Sequence, residues 1–358
     1  MSPVKQNVTI GDVAHRLGIA KGTVSRALND YPDISPETRL RVLAAVKELG
    51  YRPSSLARRL KRGRVETVGI VLPIANAHIS DAFLSEFLDG LSQGLGRQDH
   101  DLLVATAPDA AGTLAVYERL LAASKVDGMI VTRTLTNDPR IDYLRQHGVP
   151  FVAHGRTKDP SGYAWFDIDN EAALEMAANH IIGLGHRRIA YIGAPSEMNF
   201  ARLRLSGFKR GLEGQGLDVD PELITETTLD ETAGYETAKS LLKLAAPPTA
   251  IVAAVDVIAA GAVKAAREMG LSVGSDVTII GYDGAPLGRY LEPPLTTISQ
   301  SVAEAGAAVA GMMLALIDGS PAHQHQRFGD VTLLRRASDG PPRLTSAELG
   351  KKIAKRVI

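Results

Sequence analysis

Hydrophobic residues follow two different patterns along the chain, and the change between them falls near residue 65. Before it, apolar positions recur with the period of a helix in short stretches that end at glycine or polar residues. After it, short continuous apolar runs alternate with amphipathic stretches. Continuous runs are typical of strands buried on both faces of a parallel sheet, which helices must cover. The pattern therefore predicts a small all-α head and a larger α/β core.

The head carries signals for two short helices joined by a tight turn. Thr9 and Asp12 have the spacing of a capping box, which predicts a helix that begins there and is broken at Gly18. A second helix is predicted from Lys21 to Asn29. Such a pair is typical of a helix-turn-helix, in which the second helix lies in the major groove of DNA.

The outer face of the second predicted helix is polar, with two cations and no acid. The candidate DNA-contacting residues on this helix and at the preceding cap are Thr9, Lys21, Gly22, Thr23, Ser25, Arg26 and Asn29. Lys21 and Arg26 can donate to guanine O6 and N7 or to phosphate, and the hydroxyl and amide groups can bond bases or backbone. We therefore expect this helix to read an operator sequence.

A third helix is predicted to complete the head, which we assign to residues 1–52. Ser35 can cap this helix, Pro36 suits its first turn, and Gly50 ends it. Four apolar residues are expected on its buried side: Leu40, Leu43, Val46 and Leu49. Packing of that side against the other two helices would give the head its own small core.

A short basic segment, residues 53–64, follows the head. Ser54 or Ser55 can cap a short helix in which Leu56, Ala57 and Leu60 line one side, with cations on or just beyond the other. A helix this short is unstable alone in water, so we expect it to form only against DNA and a second copy of itself. An apolar wedge flanked by cations suits the minor groove, where such side chains open base steps and bend the duplex.

The charge distribution favours the same division of labour. Residues 1–64 hold 13 Lys and Arg against 5 Asp and Glu, and the remainder holds 27 against 35, although the whole chain is neutral. This asymmetry is typical of a polyanion-binding head on a body that does not bind polyanions.

The chain has no cysteine, which excludes disulfides and thiolate metal sites. We see neither a secretory signal nor a membrane-spanning run, so a cytoplasmic, nucleoid-associated protein is expected.

The core, residues 65–338, is expected to form two similar doubly wound α/β lobes, because it is too long for one usual hydrophobic core. The apolar runs lie at 68–72, 102–105, 128–131, 151–153, 189–193, 250–254 and 277–281. Amphipathic stretches lie at 83–97, 112–124, 138–147, 170–184, 200–215, 231–245 and 256–269. A helix rich in small residues, 302–317, favours close packing at a subunit interface. The tail, 339–358, keeps no heptad register and is expected to be loosely ordered.

Ligands of open α/β sheets bind beyond the carboxyl ends of the strands, so polar residues just after the apolar runs are the binding-site candidates. They are Asn76, His78, Asp81, Thr132, Arg133, His154, Arg156, Asp167, Asp169, Asp256 and Asp283. Phe83 or Trp165 can add a stacking plane. Paired polar groups beside an aromatic ring suit a polyhydroxylated ligand, because each hydroxyl needs a partner once water leaves.

Residues 8–64 resemble the head and hinge of the lactose-repressor family. The resemblance rests on the segments 8–14, 23–29 and 49–53. It implies that Lys21, Gly22 and Arg26 hold the base-reading positions and that Leu60 is a minor-groove wedge with Ala57 beside it. Because Gly22 has no side chain, its reading position supplies no base contact.

The core resembles the regulatory core of the same family, which is similar to periplasmic sugar-binding proteins. The segments that carry this resemblance are 169–170, 183–189, 204–208, 281–283 and 295–298. It implies that Arg204 and Asp283 hold effector hydroxyls and that Asp256 contributes to the site. Leu229 falls where several relatives have an aromatic stacking residue.

Together these observations predict a homodimeric transcription regulator, a repressor of the sugar-utilisation type, that binds a pseudo-palindromic DNA operator. A small sugar-like effector between the lobes would control operator affinity allosterically, and no cofactor is expected. A transport-type sugar-binding protein would share the core, but it needs an export signal and has no use for residues 8–64. An α/β enzyme is the other alternative, yet no nucleophile elbow, metal-ligand cluster or dinucleotide-binding glycine motif follows a strand.

Overall fold

The computed structural model describes residues 8–51, 64–73, 82–109 and 111–355. The chain divides into two compact units, Met1–Val65 and Glu66–Ile358, which we call the head unit and the core unit. The predicted hinge residues Leu56, Ala57 and Leu60, and the site candidates Asn76, His78 and Asp81, lie outside the described residues. None of the helices in the described ranges combines the length and the apolar character needed to span a membrane.

Three helices form the head unit: α1 (Ile10–Leu17), α2 (Lys21–Leu28) and α3 (Pro36–Leu49). Thr9 and Asp12 form the predicted capping box, and Gly18 ends α1 with φ 65°. The Ser35 side chain caps α3. The small core between the helices consists of Val13, Ala14, Val24, Ala27, Val42 and Ala45. The predicted helix-turn-helix with a closing third helix is therefore confirmed.

The buried side of α3 differs from the prediction. Leu40 and Leu43 are 68% and 48% exposed, whereas Val42 and Ala45 are fully or almost fully buried. The apolar residues of this helix occupy two faces, and only the face of 42, 45, 46 and 49 has the i, i+3, i+4, i+7 spacing of a continuous stripe. That stripe packs on α1 and α2, and the two leucines lie outside it.

The core unit contains twelve strands in its described residues. They are β1 (Thr67–Pro73), β2 (Asp101–Ala107), β3 (Gly128–Val131), β4 (Phe151–His154), β5 (Ala164–Ile168), β6 (Ile189–Gly193), β7 (Ile224–Glu226), β8 (Ala250–Ala253), β9 (Thr278–Asp283), β10 (Thr296–Gln300), β11 (Gln326–Gly329) and β12 (Val331–Leu334). The first sheet has the order β11-β5-β4-β3-β1-β2, and the second has the order β12-β10-β9-β8-β6-β7. All pairs are parallel except β10 with β12. The two predicted doubly wound sheets are thus present, the second with one antiparallel edge strand.

Helices cover both sheets. They are α4 (Ala82–Gly96), α5 (Thr113–Ala122), α6 (Pro139–Gln146), α7 (Asn170–Gly183), α8 (Asn199–Glu213), α9 (Glu231–Leu242), α10 (Asp256–Glu268), α11 (Val302–Ile317) and α12 (Ser346–Ala354). The chain passes between the sheets after β5, after β10 and between β11 and β12. We call each sheet with its helices a lobe.

The small residues of α11 pack within the chain. A Cβ atom added to Gly90 of α4 would overlap the carbonyl oxygen of Ala303, and one added to Gly306 would overlap that of Phe87. Glycine at these positions lets the backbones of α4 and α11 touch. These contacts explain the small residues by close packing within one lobe, and their service at a subunit interface stays a prediction.

The tail is ordered as far as Lys355, which corrects the expectation of a loose segment. Helix α12 begins with a capping box formed by Thr345 and Glu348. Leu349 and Ile353 are buried in the apolar core of the second lobe, and Lys352 lies 2.6 Å from the carboxylate of Asp276. The apolar spacing in the tail is that of one short amphipathic helix, which needs no heptad repeat to be buried.

Candidate functional site

The outer face of α2 is available to a ligand. The exposed residues of this face are Lys21, Gly22, Arg26 and Asn29. On the opposite side of the helix, Val24 and Ala27 are buried. Thr23 and Ser25 are half-buried. A Cβ atom added to Gly22 would meet no atom within 4 Å, so the fold does not require glycine there. The face therefore presents two long cations and an amide around a position with no side chain.

One of these cations is already held. Nη1 of Arg26 lies 3.0 Å from Oδ2 of Asp33, a residue of the loop between α2 and α3. The Nδ2 group of Asn29 donates to the carbonyl oxygen of Ser25 at 2.6 Å. Arg26 keeps further N–H donors for a base, because a guanidinium has five.

Thr9 has a different task from the other candidates. Its hydroxyl donates a hydrogen bond to Oδ2 of Asp12 at 2.8 Å and accepts one from the backbone amide of Asp12, so the side chain caps α1. The backbone and hydroxyl hydrogen bonds from Thr9 lower the pKa of Asp12 below its usual value. The structure thus gives Thr9 a role in holding α1 rather than a place on the exposed face of α2.

A cavity of about 410 Å³ lies between the two lobes. From the first lobe it is lined by Phe83, Arg133, Thr134, His154, Gly155, Asp167 and Ile168. The remaining lining residues are Asn170, Phe200, Arg204, Leu229, Asp230, Glu231, Thr232, Val255, Asp256, Val257, Asp283, Ala285, Leu287 and Gln300. Eight predicted residues therefore meet in one cavity: Phe83, Arg133, His154, Asp167, Arg204, Leu229, Asp256 and Asp283.

Three predicted residues do not line the cavity. Thr132 is buried, and its carbonyl oxygen accepts a hydrogen bond from Arg140. Asp169 is exposed and caps α7 by accepting from the Ala172 amide. The guanidinium of Arg156 stacks on the rings of Trp165 and Phe328. It also donates a hydrogen bond to Asp167 at 2.8 Å. None of the three lines this cavity, which differs from the expectation that they face the effector.

A chain of polar contacts crosses the cavity from one lobe to the other. Asn170 donates to Oδ1 of Asp167 at 3.2 Å, and its own oxygen accepts from Nε of Arg204 at 2.8 Å. Nη2 of Arg204 lies 3.8 Å from Oδ1 of Asp283, which accepts from Gln300 at 2.9 Å. Asn170 and Gln300 lie at two of the points where the chain passes between the sheets. This network connects the ligand cavity to the interlobe crossings.

Arg204 is the centre of that network. Its side chain is 6% exposed, its Nη1 donates to the Ala254 carbonyl at 2.5 Å, and the guanidinium carbon lies 3.4 Å from the ring centroid of Tyr282. The ring of Phe200 is 4.7 Å away on the cavity side. A buried guanidinium held by so many partners is a fixed donor for a ligand hydroxyl.

Asp283 adopts a backbone conformation that favours glycine, with φ 114°. Such a conformation costs on the order of 1–3 kcal/mol in a non-glycine residue and is concentrated at functional sites. Here it lies at the carboxyl end of β9, and the side chain of Asp283 lines the cavity. A non-glycine residue at such a position indicates a role for its side chain, which here is the carboxylate of Asp283.

Burial changes the acid–base behaviour of the cavity wall. The pKa of Asp256 is raised to about 7, first by burial and then by the nearby charge of Asp283, despite hydrogen bonds from Thr297 and the Ala285 amide. Burial, with a smaller contribution from Arg204, lowers the pKa of His154 to about 4. The imidazole is therefore neutral at pH 7, and its buried Nε2 atom has no hydrogen-bond partner among the described residues.

Apolar surfaces face these polar groups. Phe83 packs against the imidazole of His154 with ring centroids 5.5 Å apart. Leu229, at the position where relatives have an aromatic residue, lines the cavity without offering a stacking plane, and Phe200 supplies a ring instead. Phe200 was not predicted, although its i, i+4 spacing to Arg204 places both on one face of α8. Trp165 lies behind the wall, with its ring 5.4 Å from the Arg156 guanidinium.

Within the described ranges no cluster of three His, Cys, Asp or Glu side chains is arranged to hold a metal ion. The cavity instead combines carboxylates, an amide, a guanidinium and a neutral imidazole with two aromatic rings. This set can bond several hydroxyl groups at once and cover the apolar faces between them.

Comparison with known proteins agrees with both parts of this description. Residues 9–54 match the family model "Bacterial regulatory proteins, lacI family", and residues 178–338 match the model "Periplasmic binding protein-like domain". The HTH-type transcriptional regulator AglR of Rhizobium meliloti (strain 1021) is 39% identical over 342 residues, which cover 93% of this chain and 95% of the relative.

Solved structures give the same result. The Lac repressor dimer bound to operator and the anti-inducer ONPF superimposes with a TM-score of 0.80 at 26% identity, covering 94% of this chain and all of that one. The complex of the transcriptional regulator CelR with cellobiose gives a TM-score of 0.72 at 29% identity, covering 92% and 99% of the two chains. These relatives are transcription regulators and not enzymes, which removes the α/β enzyme as an alternative. The chain belongs to the lacI family of bacterial transcription regulators.

Proposed function

We propose that this chain represses transcription by binding a pseudo-palindromic operator as a homodimer, and that an uncharged sugar-like effector in the interlobe cavity controls this binding. The observation that carries the proposal is the presence in one chain of an exposed helix with two cations and a buried cavity rich in hydroxyl partners. The cavity alone would also fit a transport protein, but together with the exposed helix it fits a ligand-controlled DNA-binding protein. Such a protein would work in the cytoplasm, on the nucleoid.

In the proposed complex α2 enters the major groove. Lys21 and Arg26 donate to base edges or phosphates, and Gly22 leaves its base pair without a side-chain contact. Leu56, Ala57 and Leu60 enter the minor groove between the two half-sites, where apolar side chains can wedge open a base step. Because phosphate contacts dominate affinity, operator binding should weaken steeply as the salt concentration rises.

The proposed effector is polyhydroxylated. Arg204, Asp283 and Asp256 supply charged partners for hydroxyl groups, and Nε2 of the neutral His154 supplies one more. The rings of Phe83 and Phe200 can cover the apolar faces of sugar rings. That a relative holds cellobiose supports this assignment of ligand class.

The effector is also proposed to be uncharged. Among the described residues, two arginines and five carboxylates line the cavity, the latter being Asp167, Asp230, Glu231, Asp256 and Asp283. Three of the five N–H donors of Arg204 are already directed to Asn170, Ala254 and Asp283, which leaves enough for a hydroxyl group but few for a phosphate. A phosphate group would therefore meet carboxylates rather than a cluster of available cations, and burying it there would be costly. Sugar phosphates should bind much more weakly than the parent sugars.

The proposed control is allosteric and reciprocal. An effector that contacts both lobes favours one lobe angle, and the change would reach the hinge segments through the interlobe crossings. A coupling free energy of about 1–3 kcal/mol is usual for such systems, and the operator must change effector affinity by the same factor. A sugar such as cellobiose that alters operator affinity must therefore bind the operator complex with a different affinity from that for the free protein.

The DNA half of the proposal is tested by selecting duplexes from a random library with the full-length chain at low ionic strength. We expect a pseudo-palindromic sequence to be enriched, and Arg26→Ala to lose its preference for that sequence. A chain lacking residues 1–65 should lose DNA binding and keep ligand binding. Failure to enrich any sequence, with and without sugars, would contradict the proposal.

The effector half is tested by thermal shift with cellobiose, maltose and raffinose, each beside glucose 6-phosphate. A ligand present at about 100 times its dissociation constant adds about 2.7 kcal/mol to the free energy of unfolding. We expect at least one neutral sugar to stabilise the core unit, and we expect no stabilisation by the phosphate ester. Stabilisation by the phosphate ester alone would contradict the assignment of an uncharged effector.

A further inference from the structure

Asp33 places a negative charge beside the surface that would meet DNA. Its carboxylate is 52% exposed and lies 3.0 Å from Nη1 of Arg26, which is itself 59% exposed. A carboxylate at this place repels phosphates, so it lowers affinity for any duplex. Asp33 does not cap the following helix either, because the Ser35 side chain does so. Its presence therefore needs a reason other than helix capping or attraction to DNA.

We propose that Asp33 is a positioning residue that orients the Arg26 guanidinium for one base pair, so that it raises sequence specificity at some cost in affinity. This inference rests on the proposed operator binding by α2. No catalytic or effector role is involved, and the residue acts only through Arg26.

The geometry of the ion pair fits this role. Arg26 contacts Asp33 through Nη1, and a guanidinium holds five N–H donors in a rigid plane. Fixing one donor of that plane restricts its orientation and leaves the remaining N–H donors for the two acceptors of a guanine. An arginine side chain that is ordered before binding loses less conformational freedom when it forms a base contact. The same arginine without Asp33 can reach neighbouring phosphates or other bases more freely.

The same loop contains a matched control. Asp30 lies 3.3 Å from Nε of Arg39, and its side chain is 82% exposed. Arg39 belongs to α3, not to the helix proposed to read bases. Replacement of Asp30 or of Asp33 by alanine removes one negative charge from the same short loop, but only the second replacement releases Arg26.

The test uses the full-length chain and the duplex that the unmodified chain enriches from a random library. Dissociation constants are measured for that duplex and for every single-base-pair variant of it, and Arg26→Ala shows which base pair depends on Arg26. For Asp33→Ala we expect discrimination at that base pair to fall about threefold, the scale of one exposed ion pair. Discrimination at the other positions should stay unchanged, and affinity for random duplex at low salt should rise.

Three further variants decide the interpretation. Asp30→Ala should raise affinity for random duplex to a similar extent and leave every discrimination ratio unchanged. Asp33→Glu, which can keep the ion pair, should restore discrimination, and Asp33→Ala should have no effect on it in an Arg26→Ala background. Ratios between duplexes do not depend on the fraction of folded protein, so partial unfolding of a variant cannot imitate the result.

The inference is overturned if Asp33→Ala and Asp30→Ala behave alike, since Asp33 would then act as a general charge. It is also overturned if Asp33→Ala lowers discrimination equally at all base pairs. If the unmodified chain enriches no duplex, the proposed function itself fails, and this inference fails with it. The first two outcomes leave the proposed function intact, so the failures are distinguishable.

Discussion

The exposed face of α2 and the interlobe cavity use similar side chains in opposite ways. The face of α2 comes from one short segment, and its exposed Arg26 forms an ion pair with Asp33. The cavity is assembled from residues between 83 and 300, and its Arg204 is buried with several fixed partners. An exposed arginine can serve recognition alone. A buried one must serve recognition and folding together, so substitutions in the two regions should separate these effects.

The largest contrast is expected between Arg204→Ala and Arg26→Ala. Removal of Arg204 leaves Asn170 and the Ala254 carbonyl without their donor and Asp283 without its nearest cation, so the free energy of unfolding of the core unit should fall by about 3–5 kcal/mol. Removal of the exposed Arg26 should change stability by less than about 0.5 kcal/mol while removing discrimination at the base pair that Arg26 contacts.

Urea unfolding followed by tryptophan fluorescence measures the first effect cleanly, because Trp165, in the core unit, is the only tryptophan of the chain. Hydrogen exchange of the α1–α3 amides measures the second in the same full-length protein. Arg204→Lys is the control: it keeps the charge but loses the planar fork, so it should recover only part of the stability. Equal destabilisation by Arg26→Ala and Arg204→Ala would show that the two regions do not differ as described.

Two glycines sharpen the comparison at the level of the backbone. A Cβ atom at Gly207 of α8 would overlap the carbonyl oxygen of Glu171 on α7, whereas one at Gly22 would meet nothing within 4 Å. Gly207→Ala should therefore lower the free energy of unfolding by about 1–3 kcal/mol, as overpacking does. Gly22→Ala should leave the head unit as stable or up to about 1 kcal/mol more stable, because alanine favours a helix.

The same pair of measurements, tryptophan fluorescence for α8 and hydrogen exchange for α2, checks both outcomes. Gly22→Ala should also alter which operator variants are preferred, because it adds a group to the reading face. A stable Gly207→Ala protein would mean that α7 and α8 can move apart at little cost.

The head was more predictable from the sequence than the cavity, and for a physical reason. Caps and turns act between neighbours in sequence, so Thr9 with Asp12 and Ser35 marked where α1 and α3 begin. The inward faces of α1 and α2 also followed from periodicity. The predicted buried side of α3 was wrong because Leu40 and Leu43 are exposed. Apolar character alone does not say which of two helix faces is buried.

In the core, the long apolar strands and their helices were predictable, but strands that depend on distant partners were not. Strand β11 has the polar sequence QRFG and pairs with β5, with Gln326 opposite Trp165. Strand β10 has hydroxyl and amide residues at four of its five positions, so its last residue, Gln300, was not recognised as a candidate. Asn170 and Gln300 meet Arg204 and Asp283 only because the chain passes between the sheets there, and no local pattern carries that information.

The smallest expected effect concerns pH, where the carboxylates of the two regions should respond in opposite directions. The pKa of Asp256 in the folded cavity is raised to about 7 from the model-compound value 3.8. Its protonated form is thus favoured by folding, and this contribution to stability is lost as the pH rises through 7. The pKa of Asp12 in the head is lowered, so its contribution is present above its usual pKa and is lost only on acidification below that value.

Between pH 6 and pH 8 the free energy of unfolding of the core unit should therefore fall by about 1 kcal/mol through Asp256 alone. Asp256→Asn should remove this slope. The free energy of unfolding of the unmodified protein minus that of the variant, measured by urea unfolding at each pH, should therefore decrease by about 1 kcal/mol from pH 6 to pH 8. Asp12→Asn is the matched control in the head, and its effect on amide exchange of α1, corrected for the intrinsic exchange rate, should be constant over the same interval. A pH-independent difference for Asp256→Asn would mean that Thr297, the Ala285 amide and Arg336 hold the carboxylate ionised despite the charge of Asp283, and the cavity would then be as insensitive to protons at neutral pH as the exposed head.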